Sequence, residues 1–363
     1  WYYFLSPIYW VSGGDPLKIA IVFAAIGLAT LIFLFLLIRK ITGNSYIALG
    51  TVAIASMSQP FLTSSSQIWS PSQVLPLMTI YIYSIFKILQ DPKPIWFLAL
   101  GLSAAFIADS GAAFGGVLIL ATIATSIFFK KQFFGKNYLF FFAGLLLVFL
   151  PRVIFDIRNE FLITKSIIAW LFDPKIYQEK LTMGERMINR LDLFWLQFAQ
   201  TFTQSKKIFS LIPILITIIL AAASFTKLKK IKLLNFLILL TILIYTIFTL
   251  YPDAVWDYYL VGLPVIFMSV IALIFTKLDK SKLKLLLPII LILITLNFNQ
   301  KLTSPFSITW QGDGAIYRNQ KNVLDDMQKE LNGDYSLYVY TPARFDYPFD
   351  YLVDYYHRRG KIE

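Results

Sequence analysis

Apolar residues run along this chain in blocks of roughly 15–22, the length of helix that crosses a hydrocarbon layer. The blocks lie near 16–38, 45–62, 74–90, 94–108, 111–129, 137–154, 207–226, 232–250, 258–276 and 284–298. The polar gaps between them alternate in kind. Every second gap is basic: Arg39 and Lys40, then Lys87 and Lys93, then Lys130, Lys131 and Lys136. Lys227, Lys229, Lys230 and Lys232 follow, and finally Lys277, Lys280, Lys282 and Lys284. The gaps 63–73, 108–112 and 251–257 hold neither Lys nor Arg. Short cytoplasmic loops retain positive charge, so the basic gaps are expected inside. The residues before about 15, the long gap 152–206 and the tail after 299 are then expected outside. This pattern predicts an all-α polytopic membrane protein with about ten transmembrane helices. A small extracytoplasmic α/β tail follows them.

Composition agrees with that class. Hydrophobic residues make up 57% of the chain and charged residues 15%, with a mean hydropathy of +0.66, which lies outside the range of an ordinary soluble domain. A net charge of +12 raises the question of nucleic acid. However, 15 of the 33 basic residues belong to the basic gaps, so they read as topology signals and contacts to anionic membrane lipids. No nucleic-acid partner is expected. There is no cysteine and a single histidine, His357, so no disulfide, thiolate chemistry or metal site is expected. No cofactor is expected either.

Two outer segments are more than connectors. In 152–206, charge appears directly after Pro151, as Arg152, Asp156, Arg158 and Glu160. Thr182 and Glu185 have capping-box spacing for a helix of about 20 residues. Met183, Met187, Leu191, Phe194, Trp195, Phe198 and Phe202 give that helix a broad apolar stripe, with Arg186, Asn189, Arg190, Asp192 and Gln197 elsewhere. Between membrane helices, such a helix is expected to lie in the bilayer interface. In the tail, helices are predicted over 315–331 and 348–358, with an alternating strand over 335–340 that stops at Pro342. The expected division is 1–299, a membrane domain that includes 152–206, and 300–363, an extracytoplasmic region. Asp15 before Pro16 reads as a helix N-cap.

A carrier coupled to ions usually places titratable groups near mid-bilayer. Here the predicted spans carry such groups only at their ends, as Lys87, Asp109 and Arg152. Polar equipment concentrated at the outer boundary suits a substrate with a lipid tail in the bilayer and a reactive head group at its surface.

Three stretches carry a resemblance. The first runs from Trp1-Tyr2-Tyr3-Phe4 through Pro7 and Trp10 to Gly13-Gly14-Asp15-Pro16. The second is Gln67-Ile68-Trp69-Ser70-Pro71-Ser72-Gln73, reaching Pro76, and the third is Pro151-Arg152 through Asp156, Arg158, Asn159 and Glu160 to Phe161. Together they resemble the GT-C membrane glycosyltransferases, in the branch of protein O-mannosyltransferases and aminoarabinose transferases (family 39 type). The resemblance spans most of residues 1–300 and matches the tail only by position. It implies a polyprenyl-phosphate sugar donor, an acceptor hydroxyl on a lipid, glycan or protein, and action at the outer face of a plasma (inner) membrane. It also implies a catalytic carboxylate in a first outer loop upstream of Trp1. The chain therefore reads as N-terminally truncated, with eleven or more helices in the full protein, and as inactive by itself.

On that reading, Arg152, Arg158 and Lys165 are the donor-phosphate candidates, against pairing with Asp156 and Glu160 or reaching out to lipid. Gln67 and Trp69 are candidates for the sugar pocket, against a solvated amide and an interfacial ring. Asp109, or Asp257 with Trp256 and Tyr258, would position a substrate hydroxyl, against simple helix capping. A lipid-linked polysaccharide polymerase or flippase, or a scaffold working through its tail, remains the alternative. Gly115-Gly116 reads as a close helix contact.

Overall fold

The computed structural model describes residues 2–172, 181–202, 228, 230–276, 317–331 and 347–360. They are almost wholly helical, and no strand occurs among them. The helices are α1 Tyr2–Ser12, α2 Pro16–Thr42, α3 Ser45–Met57, α4 Gln59–Ser66, α5 Val74–Gln90, α6 Pro94–Ser110, α7 Ala112–Phe128 and α8 Lys130–Phe133. They continue as α9 Leu139–Arg158, α10 Leu162–Phe172, α11 Met183–Phe202, α12 Lys232–Leu250, α13 Leu263–Phe275, α14 Tyr317–Glu330 and α15 Tyr347–Arg358. The predicted helices 207–226 and 284–298 and the predicted strand 335–340 lie outside the described residues.

The protein is an all-α membrane protein. Among the described residues, four helical segments are long and apolar enough to cross a membrane: Pro16–Thr42, Ser70–Gln90, Lys136–Arg158 and Lys232–Leu250. The pair Ser45–Met57 and Gln59–Ser66 makes a fifth if taken as one broken span, and Pro94–Ser110, Ala112–Phe128 and Leu263–Phe275 are shorter apolar helices. The long helices keep apolar side chains on their outer surface, such as Ile21, Leu28 and Ile32 on α2 and Leu146, Leu147 and Leu150 on α9. Contiguous apolar exposure on a helix of this length faces lipid.

The chain divides into two compact units, Ala20–Gln300 and Tyr2–Ile19 with Lys301–Glu363. The expected membrane domain, 1–299, includes the first 19 residues, which here group with the tail. In the smaller unit, Leu324, Leu352 and Tyr356 form a core between α14 and α15, and the Tyr356 hydroxyl donates to Asp325 Oδ1 at 2.7 Å. Asp15 Oδ1 accepts from the Leu17 amide at 2.9 Å, the N-cap expected before Pro16.

In the larger unit, short links make sequence neighbours antiparallel: Asp91–Lys93 between α5 and α6, and Gly111 alone between α6 and α7. The described basic connections around Lys93 and Lys130–Lys136 consequently gather at one end. There the Asn137 amide donates to the Pro92 carbonyl at 2.7 Å, and Phe133 packs between Phe97 (5.9 Å) and Phe236 (5.4 Å). The short Lys- and Arg-free loops gather at the other end, where Arg152 pairs with Asp109 at 2.5 Å. Helices α6 and α9 cross at Gly101 and Gly144, where a Cβ on Gly101 would stand 2.1 Å from the Phe141 carbonyl oxygen. Gly115 likewise lies against Ala108, while Gly116 faces open space.

The apolar block 45–62 is not one helix. It breaks at Ser58 (φ −75°, ψ 136°), and α4 leaves α3 at 62°. The cause is Pro60, which lacks an N–H and whose ring would strike the carbonyl four residues back, yet which is well placed in a first helical turn.

The start of α11 follows the capping-box expectation. Glu185 Oε2 accepts from the Thr182 amide and hydroxyl, each at 2.8 Å, while the Glu185 amide donates to Thr182 Oγ1 at 3.3 Å. The bonds from Thr182, its amide first, hold the Glu185 carboxyl below its ordinary value of 4.5. Its stabilisation is therefore complete above 4.5 and is lost as the pH falls through the lower folded value. Thr182→Ala is expected to cost about 0.5–2 kcal/mol, and Glu185→Gln to remove this acid dependence. Thermal unfolding followed from neutral to acid pH checks both.

Candidate functional site

Along its outer side α11 exposes the apolar side chains Met183, Met187, Ile188 and Leu191. From Arg190 on, the helix is packed within the bundle, and the face it buries carries Arg190, Phe194, Gln197 and Thr201. Two of these polar residues were expected away from the packed stripe. They are buried where the end of α12 offers acceptors to Arg190 and the 3₁₀ turn beyond it offers one to Gln197. A helix terminus leaves its last carbonyls unbonded, at the negative end of its dipole. Arg190, fully buried, fills that need: Nε donates to the Phe248 carbonyl at 3.3 Å, Nη2 to the Asp253 carbonyl at 2.7 Å and Nη1 to Asn189 Oδ1 at 2.7 Å. Pro252, which cannot continue the helix, fixes the exit. Burial, then the neighbouring Asp253 and Tyr259, push the Tyr251 phenol up to about 12, so it stays protonated beside this cap.

About two turns further along α11, Gln197 Nε2 donates to the Asp257 carbonyl at 2.7 Å. That bond holds the 3₁₀ turn Asp257–Leu260 against α11. Facing it are α4 and the 3₁₀ turn Ser70–Gln73, tied together by Ser64 Oγ donating to the Ser72 carbonyl at 2.7 Å and Ser72 Oγ to the Gln67 carbonyl at 3.0 Å. Between these walls lies a cleft of about 190 Å³, lined by Gln59, Pro60, Thr63, Ser64, Trp69, Pro71, Ser72, Gln197, Gln200, Asp257, Tyr258 and Val261.

The lining is amides and hydroxyls, one carboxylate and two aromatic rings. Trp69 and Tyr258 meet edge to face, with centroids 5.3 Å apart. Burial, then its hydrogen bond with Tyr259, raises the Tyr258 phenol above its ordinary value. Asp257 Oδ1 accepts from the Tyr258 amide at 2.8 Å. Among the lining residues there is no Lys or Arg. Two buried side-chain oxygens, Gln59 Oε1 and Gln197 Oε1, have no hydrogen-bond partner among the described residues. Such groups are costly to leave unbonded. Among the described residues, no cluster of three metal-ligating side chains exists.

Of the residues singled out from the sequence, Trp69, Asp257 and Tyr258 line this cleft. Gln67 does not: it is exposed at the end of α4, its amide bonded to the Thr63 carbonyl at 3.1 Å. Trp256 is 58% exposed beside the turn, and Asp109 is engaged by Arg152. Arg152 thus pairs with neither Asp156 nor Glu160. Asp156 instead caps α10, with Oδ1 accepting from the Ile163 amide at 2.6 Å and Oδ2 from the Thr164 hydroxyl at 2.5 Å. Arg158 and Lys165 are exposed at this α9–α10 corner, among exposed Phe155, Ile157, Phe161 and Leu162. None of the three cations lines the cleft.

Gln59, Thr63, Ser64, Ser72, Gln197 and Gln200 were not read from the sequence as site residues. The available signal was Ser58-Gln59-Pro60 and the polar run 63–66 interrupting an apolar block. No family model, curated protein or solved structure matches this chain.

Proposed function

We propose that the protein is a membrane glycosyltransferase of the GT-C type, built on about ten membrane helices, which transfers a sugar from a polyprenyl-phosphate donor to an acceptor hydroxyl. The acceptor oxygen attacks the anomeric carbon, the bond to phosphate breaks, and the phosphate leaves with the electron pair. A carboxylate acting as general base takes the acceptor proton. The observation that carries the reading is the cleft itself. A sugar ring presents hydroxyls to amides, hydroxyls and a carboxylate, and its C–H face to an aromatic ring such as Trp69. A lining free of cations suits that neutral part of the donor. Arg152, Arg158 and Lys165 remain the candidates for the donor phosphate by their chemistry, and the exposed apolar corner of α9 and α10 is the candidate surface for the polyprenyl chain. The cleft opens at the end opposite the basic connections, which the positive-inside bias assigns to the exterior of the plasma membrane.

The test is transfer of labelled sugar from polyprenyl phosphate in membranes containing the protein. Trp69→Ala is expected to lower transfer roughly ten-fold, and alanine at Arg152, Arg158 and Lys165 together to abolish it. Transfer unchanged in both variants refutes the assignment. The break at Ser58 favours a second reading, a lipid-carrier flippase, because carriers place discontinuous helices at their binding sites. Translocation of a labelled lipid-linked sugar without transfer selects that reading.

A further inference from the structure

Helix α10 is 11 residues long and strongly apolar, and its side chains from Leu162 to Ala169 are all exposed. An apolar segment of that length is a core helix, or else an interfacial or re-entrant one. Exposure along more than two turns removes the first possibility. At 1.5 Å per residue α10 is roughly 16 Å long, about half the thickness of a hydrocarbon layer, so it cannot cross one. Its backbone is nevertheless finished for a place without water. Two successive left-handed residues, Glu160 (φ 53°) and Phe161 (φ 60°), interrupt the helix after α9. The helix that restarts has four leading amides, and each has an acceptor within the protein. The Leu162 amide donates to the Asn159 carbonyl at 3.1 Å and the Lys165 amide to the Phe161 carbonyl at 2.7 Å. The Ile163 and Thr164 amides donate to the Asp156 carboxylate at 2.6 and 3.3 Å. The hydroxyls are satisfied in the same way: Thr164 Oγ1 donates to Asp156 Oδ2 at 2.5 Å, and Ser166 Oγ to the Leu162 carbonyl at 2.8 Å. In hydrocarbon every polar group needs a partner inside the protein, whereas water itself satisfies an exposed helix end.

We propose that α10 lies sunk in one leaflet of the bilayer beside α9 without crossing it, and that its partner is the acyl chains of that leaflet. Two observations select lipid over a second copy of the chain. The apolar exposure of α10 continues that of α9, where Leu146, Leu147, Leu150, Val153, Ile154 and Ile157 lead along the helix to the corner. A protein partner covers one face of a helix, whereas the exposed residues of α10 surround its axis, as a solvent requires. Lys165, the one charged residue of α10, sets its rotation. Residues two positions away lie on the opposite side of a helix, so Ile163 and Ile167 point deepest when the Lys165 ammonium reaches the head groups. The proposal is independent of the transfer reaction and of which side of the membrane this end of the bundle faces.

The chain has no cysteine, so one cysteine at a time is placed at each position from 162 to 169 and labelled with a nitroxide. The full chain is reconstituted into vesicles of phosphatidylcholine and phosphatidylglycerol. Collision of each label with oxygen, which concentrates in hydrocarbon, is compared with collision with a water-soluble nickel chelate. Relative to Lys131→Cys, an exposed position in a basic connection, the ratio of oxygen to nickel collisions is expected to rise several-fold at Ile163→Cys and Ile167→Cys. It is expected to fall back at Lys165→Cys, so that the ratio oscillates with the helical period. Eight separate substitutions at exposed positions keep the scan readable if one variant fails to fold. Nickel collisions as frequent at all eight positions as at Lys131→Cys place α10 in water and overturn the proposal. A face closed to both reagents shows protein packed against it, a second copy where cross-linking joins two chains, and overturns it as well.

Discussion

Replacing Arg190 with methionine is expected to destabilise the folded protein by about 3–5 kcal/mol. Its guanidinium is fully buried and bonds the carbonyls of Phe248 and Asp253 across the end of α12. Methionine fills much of the volume but leaves those carbonyls without a donor in a site water does not reach. Arg190→Lys recovers only part of the loss, because one ammonium on a flexible stem does not reproduce the planar fork. Arg190 also fixes the loop that leads from Tyr251 to Asp257 and Tyr258, so its loss is expected to weaken ligand binding in the cleft as well. Thermal unfolding in detergent or nanodiscs measures the first effect. A change within about 0.5 kcal/mol, the scatter of surface substitutions, contradicts this account of the cap.

Gly101→Val is expected to cost about 3 kcal/mol. A Cβ there meets the Phe141 carbonyl oxygen at 2.1 Å and its carbon at 2.9 Å, both backbone atoms that no rotamer change moves aside. Gly144 is also too close for a side chain, with Leu98 O and Leu102 N each 2.7 Å from its would-be Cβ. The helices must separate, and dispersion between closely approaching backbones is what holds membrane helices together. The Asp109–Arg152 pair lies the same number of residues beyond the crossing on each helix, so separation breaks it too. Gly116→Ala is the control: nothing lies within 4 Å of its Cβ, and a helix prefers alanine. Unfolding temperatures of the two variants should differ in direction, Gly101→Val falling and Gly116→Ala holding or rising.

Hydropathy located the helices well where a block is uniformly apolar. The blocks 74–90 and 232–250 coincide with α5 and α12, and 94–108 and 111–129 fall within two residues of α6 and α7. The capping box at Thr182 was legible because its chemistry is local. What window hydropathy could not show was non-local. The break at Ser58 averages away over a block of 18 residues, although Pro60 marks it. The burial of Arg190 and Gln197 depends on carbonyls some sixty positions away in sequence, at Phe248, Asp253 and Asp257. A periodicity argument sends polar side chains to water, and it is overruled where a helix end supplies acceptors. The cleft was half-legible: Trp69, Asp257 and Tyr258 stood out as aromatic and acidic residues in short loops. The amides that complete it lie on helices, where glutamine looks like an ordinary surface residue. The expected phosphate cations, Arg152 and Arg158 on α9 and Lys165 on α10, are not among the residues that line the cleft.

The account turns on which side of the membrane the cleft faces. The chain has no cysteine, so single cysteines introduced at exposed positions report sidedness without background. Gln67→Cys and Trp256→Cys flank the cleft, and Lys93→Cys and Lys131→Cys lie in the basic connections. With a membrane-impermeant maleimide on intact cells, the first two are expected to label at once and the second two only after permeabilisation. Labelling of Lys93→Cys and Lys131→Cys in intact cells, with Gln67→Cys and Trp256→Cys protected, would place the cleft in the cytoplasm and contradict the proposed function.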